Sequence, residues 1–379
     1  MSLARWWNPL TWGRPDSTSA ESPVSGRPTS RQTAAAAPPA MPAAALRPDR
    51  PASSADSGPE PATASSEHRE AAEDDGRALE ERRVRFFCWM VGVPAAPSPG
   101  SPPPANVSRL LEELDRIIAS ESLRVGLLPR APHVVPQLMK TLRDEHYSSV
   151  EVASRISKDV VLTAEVVRSA TSAFQRGGDD DGEIDLARAV AMIGTQGLRR
   201  AIANVVLRPI FDAGGDTLSA RAAKQIWKDA DKKARLCAAL ASQLALDPFD
   251  GYLAGLLHNS GWTAALRAID GMADVTTSAA ELSHTNVVPQ LARRRDALFG
   301  ALVEPWNLSP AMDRLAEEVG SRGIDAVQSP LGVALRDAER LAALHALAPS
   351  GARAAVSVPM WATLPKPVQD CYAGLSATA

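Results

Sequence analysis

Aromatic residues are scarce in this chain, at 4 % of 379 positions, whereas alanine and leucine are abundant. That balance favours helices over a β-sandwich. Cysteine is nearly absent. Cys88, Cys237 and Cys371 are isolated, odd in number and form no CxxC pair, which excludes a disulfide framework and fits a reducing compartment. Neither sign of charge dominates: 41 basic residues face 44 acidic ones, for a net −3. There is thus no electrostatic case for nucleic acid as the main partner. Long apolar runs are missing too. "FFCWMV" (86–91) falls far short of the ~20 residues a membrane span needs. The start, "MSLARWWNPLTWGR", lacks the continuous apolar core of a signal peptide. The expectation is a cytoplasmic protein with no transmembrane segment.

What is present divides near residue 106. Seventeen of the thirty prolines precede Asn106, mixed with Ala, Ser, Gly and Thr. Residues 13–65 offer no apolar periodicity to offset the entropy of ordering, so residues 1–65 read as a disordered tail. Two islands interrupt this half. Trp6, Trp7 and Trp12 lie beside Arg5 and Arg14 and suit a docking motif, a membrane-surface anchor, or a floppy terminus carrying tryptophans by chance. Residues 66–93 couple a charged stretch to the apolar "RFFCWMVGV". This pattern predicts a helix whose apolar end docks on the main domain or on a partner, with Phe86, Phe87 and Trp89 as candidate anchors. Residues 94–105 read as a proline-rich linker.

From Val107 the pattern is helical throughout. Leu110, Leu111, Leu114, Ile117 and Ile118 line one face. Ser148 and Glu151 have the spacing of a capping box. Helices are expected over 161–174, 186–211, 223–246 and 247–269, and two or three more run to about 348; residues 349–379 form a C-terminal extension. The acidic loop 175–185 lacks the spacing of a calcium loop and reads as solvated. No stretch alternates as a strand would, so the fold class is all-α.

Six histidines are available for chemistry: His68, His133, His146, His258, His284 and His345. A His/carboxylate metal site needs several on converging elements. His68 falls in the tail, His133 in a Pro-bounded segment and His146 in a turn, while His284 and His345 have no partner at helical spacing. Only His258, in "GYLAGLLHNSGW" (251–262), sits in a recognisable constellation. No G-x-S-x-G, Walker A or H-E-x-x-H spacing occurs. The basic patches "LRR" (198–200) and "RRR" (293–295) read as solvated helix faces.

In register, these segments resemble the HDOD family, helical relatives of HD-type metal phosphohydrolases found as bacterial signalling output domains. "LLPRAPHVVPQLMKTL" resembles the family's entry segment, with Pro129 and Pro132 at its two prolines. "ISKDVVLTAEVVRSATSAF" resembles its next helices, with Val160 in place of a proline and Thr171 in place of an asparagine. "LARAVAMIGTQGLRRAIANVV" keeps Gly194 and Leu198–Arg199. "IWKDADKKARLCAALA", "GYLAGLLHNSGW" and "WNLSP" (306–310) follow in order. The match covers residues from about 123 to 310.

The resemblance implies a metal site built from a histidine on one helix, an adjacent His-Asp pair on another and further ligands downstream. Here Asp229 stands in place of the first histidine and Asn259 in place of the aspartate, and "WNLSPAMDRLAEEV" has no histidine pair. Asn offers only a neutral carbonyl, so the charge that would hold a divalent ion is lost. Asp229, His258 and Asn259 therefore read as a vestigial site, with no catalytic residue, no metal and no cofactor. The expected function is that of a non-catalytic signal-transduction protein, acting on signalling partners through protein–protein contacts. The alternative is a residual metal-dependent phosphohydrolase or nucleotide binder using Asp229 and His258.

Overall fold

A computed structural model describes residues 62–94, 105–128, 163–168, 186–272, 278–348 and 363–375. Trp6, Trp7, Trp12, nearly all of the 1–65 tail and the 94–105 linker, the Ser148/Glu151 box, the 175–185 loop, His133 and His146 lie outside them. Residues Ala71–Ala379 form one compact unit; of the other, Met1–Glu70, only the helical backbone from Ala62 is described. Every regular element among the described residues is helical, so the all-α expectation holds.

Helix α1 (Ala62–Val91) covers the segment expected at 66–93, and the backbone at His68 belongs to it. Val84, Phe87, Cys88 and Val91 recur at i, i+3, i+4 and i+7 and are all buried, so the apolar end docks within this chain. Phe87 packs its ring 5.4 Å from that of Trp262, and Arg83 pairs with Asp325. Phe87 is fully enclosed and leaves no surface to offer as an exposed anchor. Phe86 and Trp89 stay half-buried, with their rings 5.5 Å apart. Helix α2 (Ala105–Ala119) buries Val107, Leu110, Leu111, Leu114 and Ile117.

Helix α3 (Leu186–Phe211) occupies the expected segment but is interrupted at Gly194, where φ 60° and ψ −176° form a conformation that a side chain would strain. The central pair is α4 (Leu218–Gln243) and α5 (Pro248–His258). Thr217 caps α4 by accepting from the Ala220 amide. Asp247 caps α5 by accepting from Phe249, with Pro248 at its first position. Two glycines set how closely this pair approaches. A Cβ on Gly255 would lie 2.6 Å from Ala234 Cα and from the Lys233 carbonyl oxygen, and one on Gly251 2.7 Å from Ala241 Cβ. Backbone fills the space that side chains would take.

The segment expected as one helix over 247–269 is divided at Asn259. Its carbonyl accepts from both Trp262 and Thr263, tightening the turn before α6 (Ser260–Asp270). Helix α7 (Val288–Val303) crosses α6, and α8 (Pro310–Arg322) packs on α7. Ser309, in the "WNLSP" stretch, caps α8 at Met312 and donates to the buried Asp250 carboxylate. Helix α9 (Pro330–Leu347) runs along α4, and α10 (Lys366–Gly374) packs there as well. Part of the C-terminal extension therefore belongs to the core: Tyr372 meets the buried His345 edge-on at 5.3 Å. The two basic patches are solvated only in part: Arg293 is exposed, but one arginine of each patch turns inward. Arg199 and Arg295 are buried; Arg199 lies over the Phe249 ring and Arg295 over that of Trp262.

Candidate functional site

Asp229 is supplied by α4, His258 by the last turn of α5 and Asn259 by the α5–α6 junction. The close α4–α5 contact brings all three together. Asn259 Nδ2 donates to Asp229 Oδ2 at 2.9 Å and to the Ile226 carbonyl at 3.1 Å. The ring of His258 is enclosed, with Phe299 edge-on at 5.2 Å. The expected trio is thus a real cluster, far apart in sequence and joined in space.

Its centre is occupied by a side chain of the protein itself. Lys233, one helical turn beyond Asp229 and 1 % exposed, places Nζ 3.2 Å from His258 Nδ1 and 3.9 Å from Asp229 Oδ2. The same ammonium donates to Asn259 Oδ1 and, at 3.2 Å, to Glu339 Oε2 on α9. One built-in cation therefore reaches every position of the ligand set that the sequence singled out. Asn259 suits this arrangement through both ends of its amide: oxygen accepts from the ammonium, and nitrogen donates to Asp229. An aspartate there would set two carboxylates side by side.

The remaining charges are paired around this core. Glu339 Oε2 lies 2.8 Å from His258 Nδ1, and Oε1 accepts from Arg295 Nη1 at 2.7 Å. Asp296 Oδ1 lies 3.0 Å from His258 Nε2 and 2.8 Å from Arg295 Nε, while its Oδ2 accepts from the Ile324 amide. An ionised carboxylate only accepts, so Nε2 is the nitrogen that carries a hydrogen. Nδ1 then accepts from Lys233 or, in the imidazolium, donates to Glu339.

Burial raises the pKa of Asp229, against the opposing pull of Lys233 and Asn259. Burial would raise Glu339 as well, but Arg295, Lys233 and His258 outweigh it and hold this carboxyl well below the usual range. Cys237, the nearby thiol on α4, is pushed up to about 12 by burial and stays neutral. Glu339 is the partly open edge of the cluster, its side chain 24 % exposed.

The residues do not fit a divalent metal. Among the described residues no three His, Cys, Asp or Glu side chains are grouped to hold one. The carboxylates nearest His258 lie on opposite ring nitrogens, and an ammonium stands where the donors meet. Lys233, Arg295, Asp296 and Glu339 were not legible as site residues from sequence. The one available signal was the i, i+4 spacing of Asp229 and Lys233, hidden among the charges of "KDADKK". His284 is half-buried and apart from this cluster, and His345 is a core residue.

Comparison with known proteins agrees with this architecture. A candidate metal-dependent phosphohydrolase from Shewanella amazonensis SB2B superposes with a TM-score of 0.52 at 18 % identity, covering 73 % of this chain and 99 % of that one. At that identity the likeness establishes the fold alone. An HDOD domain protein of unknown function from Geobacter sulfurreducens aligns at 21 % identity, with a TM-score of 0.46, over 71 % of this chain and 89 % of that one. An uncharacterized protein of Treponema pallidum (strain Nichols) is 24 % identical over 160 residues. That stretch is 42 % of this chain and 30 % of the relative, so the chain spans under a third of the relative's length. The HDOD domain profile matches residues 128–319, half of the sequence: the chain belongs to the HDOD family.

Proposed function

We propose that this HDOD protein is a non-catalytic regulator in bacterial signal transduction, working in the cytoplasm by binding other signalling proteins through its helical domain. The observation that carries the reading is the Lys233 ammonium among Asp229, His258, Asn259 and Glu339. Metal-assisted hydrolysis needs a cation with an open position to bind and acidify water. An ammonium fixed by four protein groups offers none. With chemistry set aside, what the fold presents to other molecules is its surface.

No described helix is long and apolar enough to cross a membrane. The half-buried Phe86 and Trp89 and the three N-terminal tryptophans supply aromatic contact groups of the kind that dominate interfaces.

The test pairs an assay with a capture. Purified full-length protein with Mn²⁺ or Mg²⁺ is expected to leave phosphodiesters, phosphomonoesters and nucleoside triphosphates unhydrolysed. Crosslinking in the native host is expected to join it to a defined signalling protein, and the purified pair is expected to rebuild the complex. Metal-dependent turnover abolished by Asp229→Ala would overturn the reading in favour of a residual phosphohydrolase.

A further inference from the structure

Helix α4 has a second charged side, facing away from the sealed cluster. It borders an open cleft of about 570 Å³, walled by α3, the helical residues 163–168, Trp89 of α1 and the ends of α9 and α10. That volume falls within the range of small-molecule sites. Two tryptophans line it, Trp89 and Trp227, each half-buried with ring surface remaining. Trp227 is braced by Phe211, with ring centres 5.4 Å apart, and Arg208 lies over its face at 5.6 Å.

The lining carries four cationic side chains, Arg168, Arg208, Lys228 and Lys232, against two carboxylates, Glu165 and Asp231, an excess of two positive charges. Both carboxylates are already engaged. Glu165 accepts from Arg168 through Nε and Nη2, at 3.0 and 2.6 Å, and from Asn204 at 3.2 Å. Asp231 pairs with Arg235 at 2.8 Å. Arg208 and Lys228 are exposed and have no carboxylate partner among the described residues.

The floor of the cleft is preorganised. The enclosed Tyr252 hydroxyl donates to Asn204 Oδ1 at 2.6 Å, and Asn204 in turn holds Glu165, which orients Arg168. This relay, rooted in the buried Tyr252 and Asn204, orients one guanidinium at the wall, while Arg208 and Lys228 line the rim. Cations beside half-buried indole rings, in a cavity the size of one small ligand, match a molecule with both phosphate and a flat aromatic ring. The phosphate answers the guanidinium and ammonium groups, and the ring stacks on indole.

We infer that this cleft is a binding site for a small nucleotide, with its phosphates held by Arg168, Arg208 and Lys228 and its base against Trp89 or Trp227. The site is separate from the Lys233 cluster, and the inference does not rest on the absence of catalysis. It gives the helical domain a small-molecule input.

Isothermal titration of the full-length chain with ATP and GTP, alongside pyrophosphate, adenosine and a short DNA duplex, tests it. Saturable binding of at least one nucleotide is expected, with pyrophosphate and adenosine each at least tenfold weaker. Lys228→Ala and Arg208→Ala are expected to weaken binding about tenfold each, as loss of a charge-assisted bond does, without moving the melting temperature. Tryptophan fluorescence should change on binding in wild type and in both variants at saturation. Four results would each overturn the proposal: no binding of either nucleotide, equal binding of pyrophosphate, tighter binding of the duplex, or variants that bind like wild type.

Discussion

One helix, α4, serves two charged regions that differ in almost every respect. On one side Lys233 is sealed among Asp229, His258, Asn259 and Glu339, each within hydrogen-bond or ion-pair distance. On the other side Lys228 stands exposed at the rim of a cleft with two tryptophans. The residues are five apart in sequence and alike in chemistry, and their surroundings assign them opposite work. A cation stripped of water and given protein partners in its place is structural, because its charge is spent inside. A cation left in water beside aromatic faces has its charge still to spend. In this family member the place where resemblance implies metal chemistry is the closed one, and the open one lies outside that ligand set.

The sharpest way to break this contrast is to remove the same group from each region. Lys233→Met leaves Asp229 and Glu339 without their central cation, and truncating one member of a buried ionic cluster costs about 3–5 kcal/mol. Lys228→Met changes an exposed side chain and is expected to stay within about 0.5 kcal/mol of wild type. Urea denaturation of both variants measures the difference directly. Similar values for the two would erase the distinction between a structural and a recognition side.

Next in size is the spacing that assembles the sealed region. A Cβ on Gly255 would meet the backbone of Lys233 and Ala234 at 2.6 Å, so Gly255→Ala must push α5 off α4. Overpacking of this kind costs roughly 1–3 kcal/mol. The expected readout is a lower denaturation midpoint in urea.

The smallest effect is in pH. Glu339 is faced by Lys233 from α4, His258 from α5, Arg295 from α7 and, at longer range, Arg83 from α1. Its folded pKa is depressed, whereas in the unfolded chain it titrates near the ordinary value of about 4.3. Above that value the group is ionised in both states and contributes its full stabilisation. As pH falls, the unfolded state takes up a proton first, and the contribution is lost by the time pH has passed the folded pKa. Asp229, raised by burial, works in the opposite sense and offsets part of the loss. Glu339→Gln is therefore expected to be less stable at neutral pH and to lose less on acidification. An acid limb identical to wild type would show that Glu339 does not report on the cluster.

The sequence carried the helices well, because Leu110, Leu111, Leu114 and Ile117 announce one buried face through local spacing alone. It also carried the fact that Asp229, His258 and Asn259 belong together, through resemblance in register. It did not carry the cation between them. Lys233 meets His258 25 positions away and Glu339 106 away, and no local period encodes a contact across three helices. Arg295 failed for a related reason: in "RRRD" it looks like its neighbours, yet Arg293 is exposed while Arg295 is enclosed over Trp262. The apolar end of α1 was readable as a docking element but not in its destination, because Phe87 and Trp262 lie 175 positions apart.

The most direct test of the central claim is the melting temperature of the full-length protein titrated with Mn²⁺. A metal that binds the native site at a hundred times its Kd adds about 2.7 kcal/mol of stability. With Lys233 in the ligand position, no shift is expected in wild type or in Asp229→Asn. A saturable rise in wild type that Asp229→Asn abolishes would show that a metal, and not the ammonium, belongs among these side chains.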